Sequence, residues 1–324
     1  MCKWQYLPYS DKILQVVIVD RYSCMINKIE LATNKIFSTT AEHIQMIGSG
    51  FYGEVYLVTL PISPYRVALK LFWEEKYACL QKIDQSHISN LSVVPMPHIL
   101  GEYFDRGSGI FALAMQYVEG KNLGYTNLAT LSHVDRLSDE IVDMVVRLHG
   151  VQKESFGYLG GKQYSTWQGF YKDLCCQMYA NIKEYSDRGL LSRDRLDLFA
   201  YSYKHFDDIF GDNVQRASLI HGDLNNENII ISEDEHIAGL IDPMGVMYGD
   251  REIELFQLEC SNGLEMKLLE KYFSRVKPSK NFDIKKSFYK SWAEVNHYAR
   301  INKPQDEYLD KFMNDLFNNL IKQK

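Results

Sequence analysis

The chain has 324 residues, 46% of them hydrophobic, enough to bury a large core and consistent with about two domains. Its 36 Lys and Arg against 42 Asp and Glu give a formal net charge of -6, which excludes the clustered basic footprint of a nucleic-acid-binding domain. Six cysteines without paired zinc-ligand spacing or a dense disulfide framework exclude a zinc module and a disulfide scaffold, and reduced thiols in the cytoplasm are expected. The longest N-terminal apolar run, residues 13–19, is too short to span a bilayer and no cleavable signal architecture surrounds it, so a membrane association is not expected.

In chain order, residues 14–20, 25–31 and 35–37 read as short strands rich in Val, Ile and Leu, an extension ahead of the first motif. That motif is Gly48-Ser49-Gly50-Phe51-Tyr52-Gly53-Glu54-Val55, a G-x-G-x-x-G-x-V turn between strands, followed by Val67-Ala68-Leu69-Lys70. Glycines let backbone N–H groups approach phosphates, and Lys70 would reach the α and β phosphates of a nucleotide. A dinucleotide-binding reading requires a helix directly after the glycines. Here residues 54–60 are strand-like, Pro61 and Pro64 mark a turn, and residues 66–72 resume as strand.

A helix is expected over residues 74–83 and a buried strand over residues 111–118 that runs into a turn at Gly120. Leu137, Ile141, Met144, Val145 and Leu148 follow helical spacing and Gly150 would end that helix. Further helices are expected over residues 167–185, 193–210, 267–273, 284–301 and 308–321, with Pro278 and Pro304 in the intervening turns.

Between them lies His221-Gly222-Asp223-Leu224-Asn225-Asn226-Glu227-Asn228, with Asp242 fourteen positions after Asn228 in Leu240-Ile241-Asp242-Pro243-Met244-Gly245. A carboxylate at Asp223 can orient and deprotonate an acceptor hydroxyl, while Asn228 and Asp242 supply oxygen ligands for a magnesium ion that neutralises a moving phosphoryl group. Ile229-Ile230-Ile231 and residues 236–241 read as two apolar strands around the polar turn 232–235, so one hairpin would bring Asn228 and Asp242 together. His221 is expected to hydrogen-bond the loop backbone, because this chemistry has no vacancy for a second base.

In this order, the glycine loop, V-A-L-K, H-G-D-x-x-x-x-N and I-D-P resemble the protein-kinase-like fold, from about Ile44 to the C-terminal helices. The details are similar to its small-molecule branch of aminoglycoside phosphotransferases and fructosamine kinases. H-G-D stands in place of H-R-D, Asn225 stands where protein kinases carry a lysine, and only a short stretch separates Asp242 from Tyr248-Gly249-Asp250-Arg251-Glu252-Ile253-Glu254-Leu255. No room is left for an activation loop. That stretch and Trp292-Ala293-Glu294-Val295-Asn296-His297-Tyr298 resemble fructosamine kinases, whereas Phe156-Gly157-Tyr158-Leu159 and residues 165–170 look equally like antibiotic-phosphorylating members.

The resemblance implies an α+β, two-lobed protein-kinase-like fold. An antiparallel β lobe with one helix would span residues 1–117, with 1–40 as an extension, and a mainly helical lobe would span 118–324. It implies nucleotide contacts from Gly48, Ser49, Gly50, Tyr52, Gly53, Val55, Ala68 and Lys70, with Glu75, or its rival Glu74, pairing with Lys70. The Gln116 carbonyl and Val118 N–H would meet the adenine edge. Glu254 stands where many members carry an Asp that braces the catalytic loop. Asp250 is expected to cap a helix starting near Arg251, and Asp250, Glu252 and Glu254 have acceptor amino groups as an alternative task.

The activity so implied is transfer of the γ-phosphate of ATP, with GTP left open and with magnesium, to a hydroxyl of a small molecule. The acceptor expected is a cationic, aminoglycoside-type aminosugar, and a fructosamine or ketoamine sugar is the alternative. A catalytically silent nucleotide-binding scaffold is the rival of another class. The intact set of Lys70, Asp223, Asn228 and Asp242 speaks against it.

Overall fold

A computed structural model describes residues 11–211 and 214–322, with side chains from Cys24 onward. The chain divides into two compact units, one formed by residues up to Ser86 together with Pro97–Val118, the other by His87–Met96 and the residues from Glu119 onward.

The first unit is built on a five-stranded antiparallel sheet of order β1-β2-β3-β5-β4, with β1 at His43–Ser49, β2 at Gly53–Thr59, β3 at Arg66–Phe72, β4 at Ile99–Asp105 and β5 at Ile110–Gln116. Alternation sorts the side chains of these strands onto two faces. Tyr56, Val58, Val67, Leu69, Leu71, Ile110 and Ala112 form one buried cluster, and Phe72, Leu113 and Phe111 belong to another.

The first cluster is covered by a helix that the sequence did not announce. Residues 11–37, expected as three short strands, form the single helix α1, Asp11–Phe37. Strand propensity in this segment is overridden because Ile29, Ala32 and Thr33 are buried at helical spacing, and Ile29 and Ala32 pack on the sheet with Tyr56, Val58 and Leu69. The helix expected over 74–83 is present and longer, as α2, Glu75–Leu91. The boundary between the two units falls within it.

The second unit is mainly helical. Its helices are α3 (Val134–His149), α4 (Trp167–Asp187), α5 (Arg193–Lys204), the short α6 (Phe206–Ile209), α7 (Leu268–Arg275), α8 (Phe282–Ile301) and α9 (Glu307–Lys322). The predicted stripe of α3 is buried throughout, and Gly150 takes the C-cap position in a right-handed rather than a left-handed conformation. An aromatic cluster of Trp167, Tyr171, Phe206, Phe210, Phe288, Tyr289 and Trp292 ties α4, α6 and α8 together, and accounts for part of the high Tyr and Phe content.

Two small antiparallel sheets carry the loops of interest. One runs β11-β10-β6, from Ile237–Leu240, Ile229–Ile231 and Lys121–Asn122; the other runs β7-β9-β12-β8, from Gln152–Lys153, Ala217–Ile220, Met247–Gly249 and Gly157–Tyr158. Among the described residues no helix is long and apolar enough to cross a membrane.

Ile29 is fully buried between α1 and the sheet. Ile29→Ala should therefore lower the stability of this unit by about 2–4 kcal/mol, the range for truncating a buried Ile. Urea denaturation measures it, and a loss under about 0.5 kcal/mol, a surface-like value, would mean that α1 is not seated there.

Candidate functional site

In the first unit, cross-strand register assembles the predicted nucleotide residues. Directly opposed residues of an antiparallel sheet point to the same face, and Gly48 opposes Val55, Val55 opposes Lys70, and Lys70 opposes Leu113. One rung thus joins the glycine loop, Val55, Lys70 and β5. A second rung on the same face aligns Leu57, Ala68 and Met115. Ser49 ends β1, Gln116 ends β5 and Val118 follows in extended chain.

The turn between β1 and β2 is closed by the Gly50 N–H, which donates to the Gly53 carbonyl at 2.9 Å. Tyr52 packs its ring on Tyr77 of α2, with centroids 4.3 Å apart. Of the three motif glycines only Gly53 is demanded by the protein's own packing, since a β-carbon there would lie 2.0 Å from the Leu71 carbonyl oxygen. A β-carbon at Gly50 would meet nothing within 4 Å, and none of the three glycines takes a positive φ. Close backbone approach, not left-handed geometry, is the property that this turn retains.

The structure does not bring Glu74 or Glu75 to Lys70. Glu75, in the first turn of α2, receives two hydrogen bonds from Arg106 at 2.5 and 3.1 Å, which hold its carboxyl below the usual range. Glu74 pairs with Lys76 at 2.7 Å. Lys70 Nζ donates instead to Gln81 Oε1 at 2.7 Å, and both side chains are buried. The reason is placement. Six residues at 1.5 Å each set Glu75 roughly 9 Å along the helix from Gln81, toward the β4–β5 turn that carries Arg106.

In the second unit the loop after β9 forms around Asp223. Asn225 Nδ2 donates to Asp223 Oδ1 at 2.7 Å, and Asn228 Nδ2 donates to Asp223 Oδ2 at 2.8 Å and to the Asp223 carbonyl at 2.8 Å. Each carboxylate oxygen is therefore held by a different amide. The Asn225 Oδ1 caps the following short 3-10 turn, Asn226–Asn228, by accepting from the Glu227 N–H at 2.8 Å. Burial pushes the Asp223 carboxyl above its ordinary value, against the opposing pull of His221 and of the two amides.

His221 is fully buried, and its Nδ1 accepts from the Asp223 N–H at 3.3 Å, the backbone role expected of it. Burial pulls its imidazole below the ordinary value, against the attraction of Glu254 and Asp223. Gly222 sits at a φ of +85°, and a β-carbon there would lie 2.1 Å from the Met244 carbonyl oxygen. Position 222 thus admits no side chain.

The hairpin formed as expected, with Ile229 opposite Leu240 and Ile230 opposite Gly239. The Ile241 N–H donates to the Asn228 carbonyl at 2.9 Å, so Asp242 begins one residue from that contact. Asp242 has a φ of +56°, a left-handed conformation unusual for a residue preceding proline. Strain of this kind costs about 1–2 kcal/mol and persists where surrounding structure fixes a side chain for a task.

Glu254 is the residue that sequence reasoning underrated. Its Oε2 accepts from the Gly222 N–H at 2.9 Å, and its Oε1 accepts from the His221 N–H at 3.2 Å. The same Oε1 lies 2.9 Å from His149 Nε2, whose Nδ1 is 2.8 Å from the Tyr272 hydroxyl. Glu in the place of the shorter Asp still reaches the loop.

Asp250 caps the 3-10 turn Arg251–Ile253 by accepting from the Glu252 N–H at 3.0 Å. Asp250 and Glu252 both clamp the buried Lys285, at 2.5 and 2.6 Å, and Asp250 also accepts from the Tyr289 hydroxyl at 2.9 Å. These three acidic residues are all buried and engaged within the protein, so the alternative of acceptor binding is not supported by their surroundings.

The sequence matches the phosphotransferase enzyme family (APH) over residues 43–259. No curated protein sequence matches the chain. Among solved structures, the chain is similar to a Thermobifida fusca protein assigned as a fructosamine-3-kinase, with 17% identity over 89% of this chain and 96% of that one and a TM-score of 0.66. A Haemophilus somnus protein with the same assignment gives a TM-score of 0.68 at 15% identity, over 90% and 96% of the two chains. The aminoglycoside phosphotransferase APH(2'')-IIa, solved with gentamicin, gives 0.62 at 16% identity over 96% and 97%. At these identities the structures establish the shared protein-kinase-like fold, and the match over 43–259 establishes the family. The chain belongs to the phosphotransferase enzyme family.

Proposed function

We propose that this phosphotransferase moves the γ-phosphoryl group of a nucleoside triphosphate, with magnesium, to a hydroxyl group of a small aminosugar-type acceptor. The observation that carries the reading is the fixed carboxylate of Asp223, each oxygen held by its own amide donor, in a loop braced by Glu254. A group so fixed can orient an acceptor hydroxyl. As the new P–O bond forms and the bond to the β-phosphate oxygen breaks, the hydroxyl proton passes to the Asp223 carboxylate.

Both hydrogens of the Asn228 amide nitrogen are directed at Asp223, which leaves its Oδ1 as the atom with which it would meet a cation. Asp242 follows Ile241, whose N–H donates to the Asn228 carbonyl, and its carboxylate would supply the second ligand. One amide and one carboxylate oxygen suit Mg²⁺, which takes few protein ligands and completes its shell with water and phosphates. When bound there, the ion would offset negative charge on the phosphates. In the other unit, Lys70 would meet phosphates as a point charge, with Gly48, Ser49, Gly50, Tyr52 and Gly53 offering backbone, and Val55 and Ala68 lining the base. The Gln116 carbonyl and Val118 N–H are the groups proposed for the base edge, and the lobe division at 117/118 belongs to the same reading. Glu75, engaged by Arg106, has no place in it as the partner of Lys70.

An acceptor of the ketoamine-sugar type is the second reading. It is supported by the resemblance of residues 248–255 and 292–298 to fructosamine kinases. Neither reading requires a membrane or a nucleic acid.

ADP or GDP release, measured by coupled assay with ATP and GTP against aminoglycosides, fructosamines, choline and simple sugars, separates the readings. Asp223→Asn should cut turnover by about 10²–10⁴-fold, the usual contribution of a positioned base, while nucleotide still binds. Chelation of magnesium should abolish turnover, and readdition should restore it. If no acceptor raises release above the Asp223→Asn background while nucleotide binds, the protein is a scaffold.

Glu254→Ala would strip acceptors from two buried loop N–H groups and from His149. A loss of about 2–4 kcal/mol in urea melts is expected from unpaired buried donors and a lost charged acceptor. Hydrogen exchange at Gly222 should accelerate with it. Unchanged exchange at that amide would show that the loop is held by other means.

A further inference from the structure

We propose that Gln81, a neutral amide, is the side chain of α2 that positions Lys70 for nucleotide phosphates. The inference rests on the nucleotide-binding reading of the first unit and departs from the glutamate partner that the sequence suggested. Lys70 is 5% exposed and Gln81 1% exposed, and the Nζ–Oε1 distance is 2.7 Å.

Position 81 belongs to an unusual face of α2. Gln81, Asp84, Gln85 and Ser89 are all buried, at the spacing of one helical side, where apolar residues would ordinarily sit. Burying amides is costly unless they are hydrogen-bonded, and apolar replacements at buried sites would be simpler. Gln85, one turn after Gln81, donates from Nε2 to the Pro97 carbonyl at 2.6 Å, while its Oε1 is buried with no partner among the described residues. That bond fixes the rotation of α2 against the segment entering β4. Rotation so fixed turns Gln81, one turn earlier on the same side, to the Lys70 rung of the sheet.

The chemistry of the partner matters. Lys70 has a flexible four-carbon stem, and its ammonium is a point charge whose direction must be set by a neighbour. A carboxylate or an amide oxygen can set that direction by accepting a hydrogen bond from the ammonium. An amide oxygen sets the direction and adds no charge. Gln81 is accordingly a positioning residue, acting on nucleotide through Lys70.

A double-mutant cycle on the full chain tests this, with MgADP binding measured by calorimetry. Gln81→Leu should weaken MgADP by on the order of tenfold, as for a lost hydrogen bond to a charged group. Lys70→Met should weaken it comparably or more, and Lys70→Met combined with Gln81→Leu should be no weaker than Lys70→Met alone. Gln81→Glu, which can accept the same hydrogen bond, should stay within about threefold of wild type. Should the leucine variant fail to fold, Gln81→Asn keeps the amide but shortens its reach by about 1.5 Å, one C–C bond, and should show the same loss. Wild-type affinity in Gln81→Leu, or losses that multiply in the double variant, would overturn the proposal while leaving the enzyme reading intact. Where the wild type binds MgGDP and not MgADP the same cycle is read with MgGDP, and absence of both would remove both readings.

Discussion

The arrangement of the second unit depends on one buried carboxylate. Glu254 accepts two consecutive backbone N–H groups, those of His221 and Gly222, at the point where β9 turns into the Asp223 loop. Those donors lie in a sharp turn with a left-handed glycine, where no ladder can satisfy them, and an unpaired buried donor is costly. The carboxylate is in turn held by His149 from α3, which meets Tyr272 from α7. Three elements distant in sequence thereby fix the backbone from which Asp223, Asn225 and Asn228 project. The small sheet makes this possible: β12 pairs with β9 and delivers residues 250–254 beside the loop that β9 begins.

The segment carrying Glu254 needs its own anchor, and a second polar cluster supplies it. Lys285 of α8 lies between Asp250 and Glu252, while Glu252 also accepts from the Ser279 hydroxyl at 2.6 Å and Tyr289 accepts from the Trp167 indole at 2.9 Å. Burial pulls the Lys285 ammonium down, but the two carboxylates outweigh it and leave its pKa raised. Buried ion clusters of this kind contribute modest net stability against an apolar substitute. Their geometric demand is strict, however, because each member has few alternative partners. The cluster therefore serves the placement of residues 250–254 more than the bulk stability of the helices, whose cohesion comes from the aromatic contacts of α4, α6 and α8.

Much of this was legible in the amino-acid sequence wherever the cause is local. The turn after Ser49, the Pro61–Pro64 connection, the hairpin 229–240 and the stripe of α3 follow from residue chemistry and periodicity over short windows. Where tertiary context decides, the reading failed. Residues 14–20 are rich in Val and Ile and were read as strand, but the segment is part of a helix that covers a sheet assembled from residues 43–116. Glu75 had the charge to meet Lys70, yet it lies in the first turn of α2 beside Arg106, and the helical residue level with Lys70 is Gln81, six residues on. Asn225 was visible as a departure from the protein-kinase lysine, but its hold on Asp223 required the bent path of the loop. Glu254 stands where the resemblance implies an Asp, and the loop backbone accommodates its extra methylene.

The treatment of Asp223 bears on how the proposed reaction would proceed. Burial raises the pKa of its carboxyl, which favours proton uptake, while amide donors on both oxygens oppose that shift by stabilising the charged form. Two opposed influences on basicity share one geometric effect, since both restrict rotation of the carboxylate. In a largely dissociative transfer little proton movement is needed before the transition state, and alignment of the acceptor oxygen carries more weight than base strength. The loop accordingly directs its polar groups at orientation: Asn225 and Asn228 hold the carboxylate, Gly222 permits the turn, and Glu254 fixes the backbone beneath. Substrate choice then falls to surfaces outside this frame, because the groups that hold Asp223 and its turn, the side-chain amide nitrogens of Asn225 and Asn228 and the Glu254 carboxylate, are engaged within the loop.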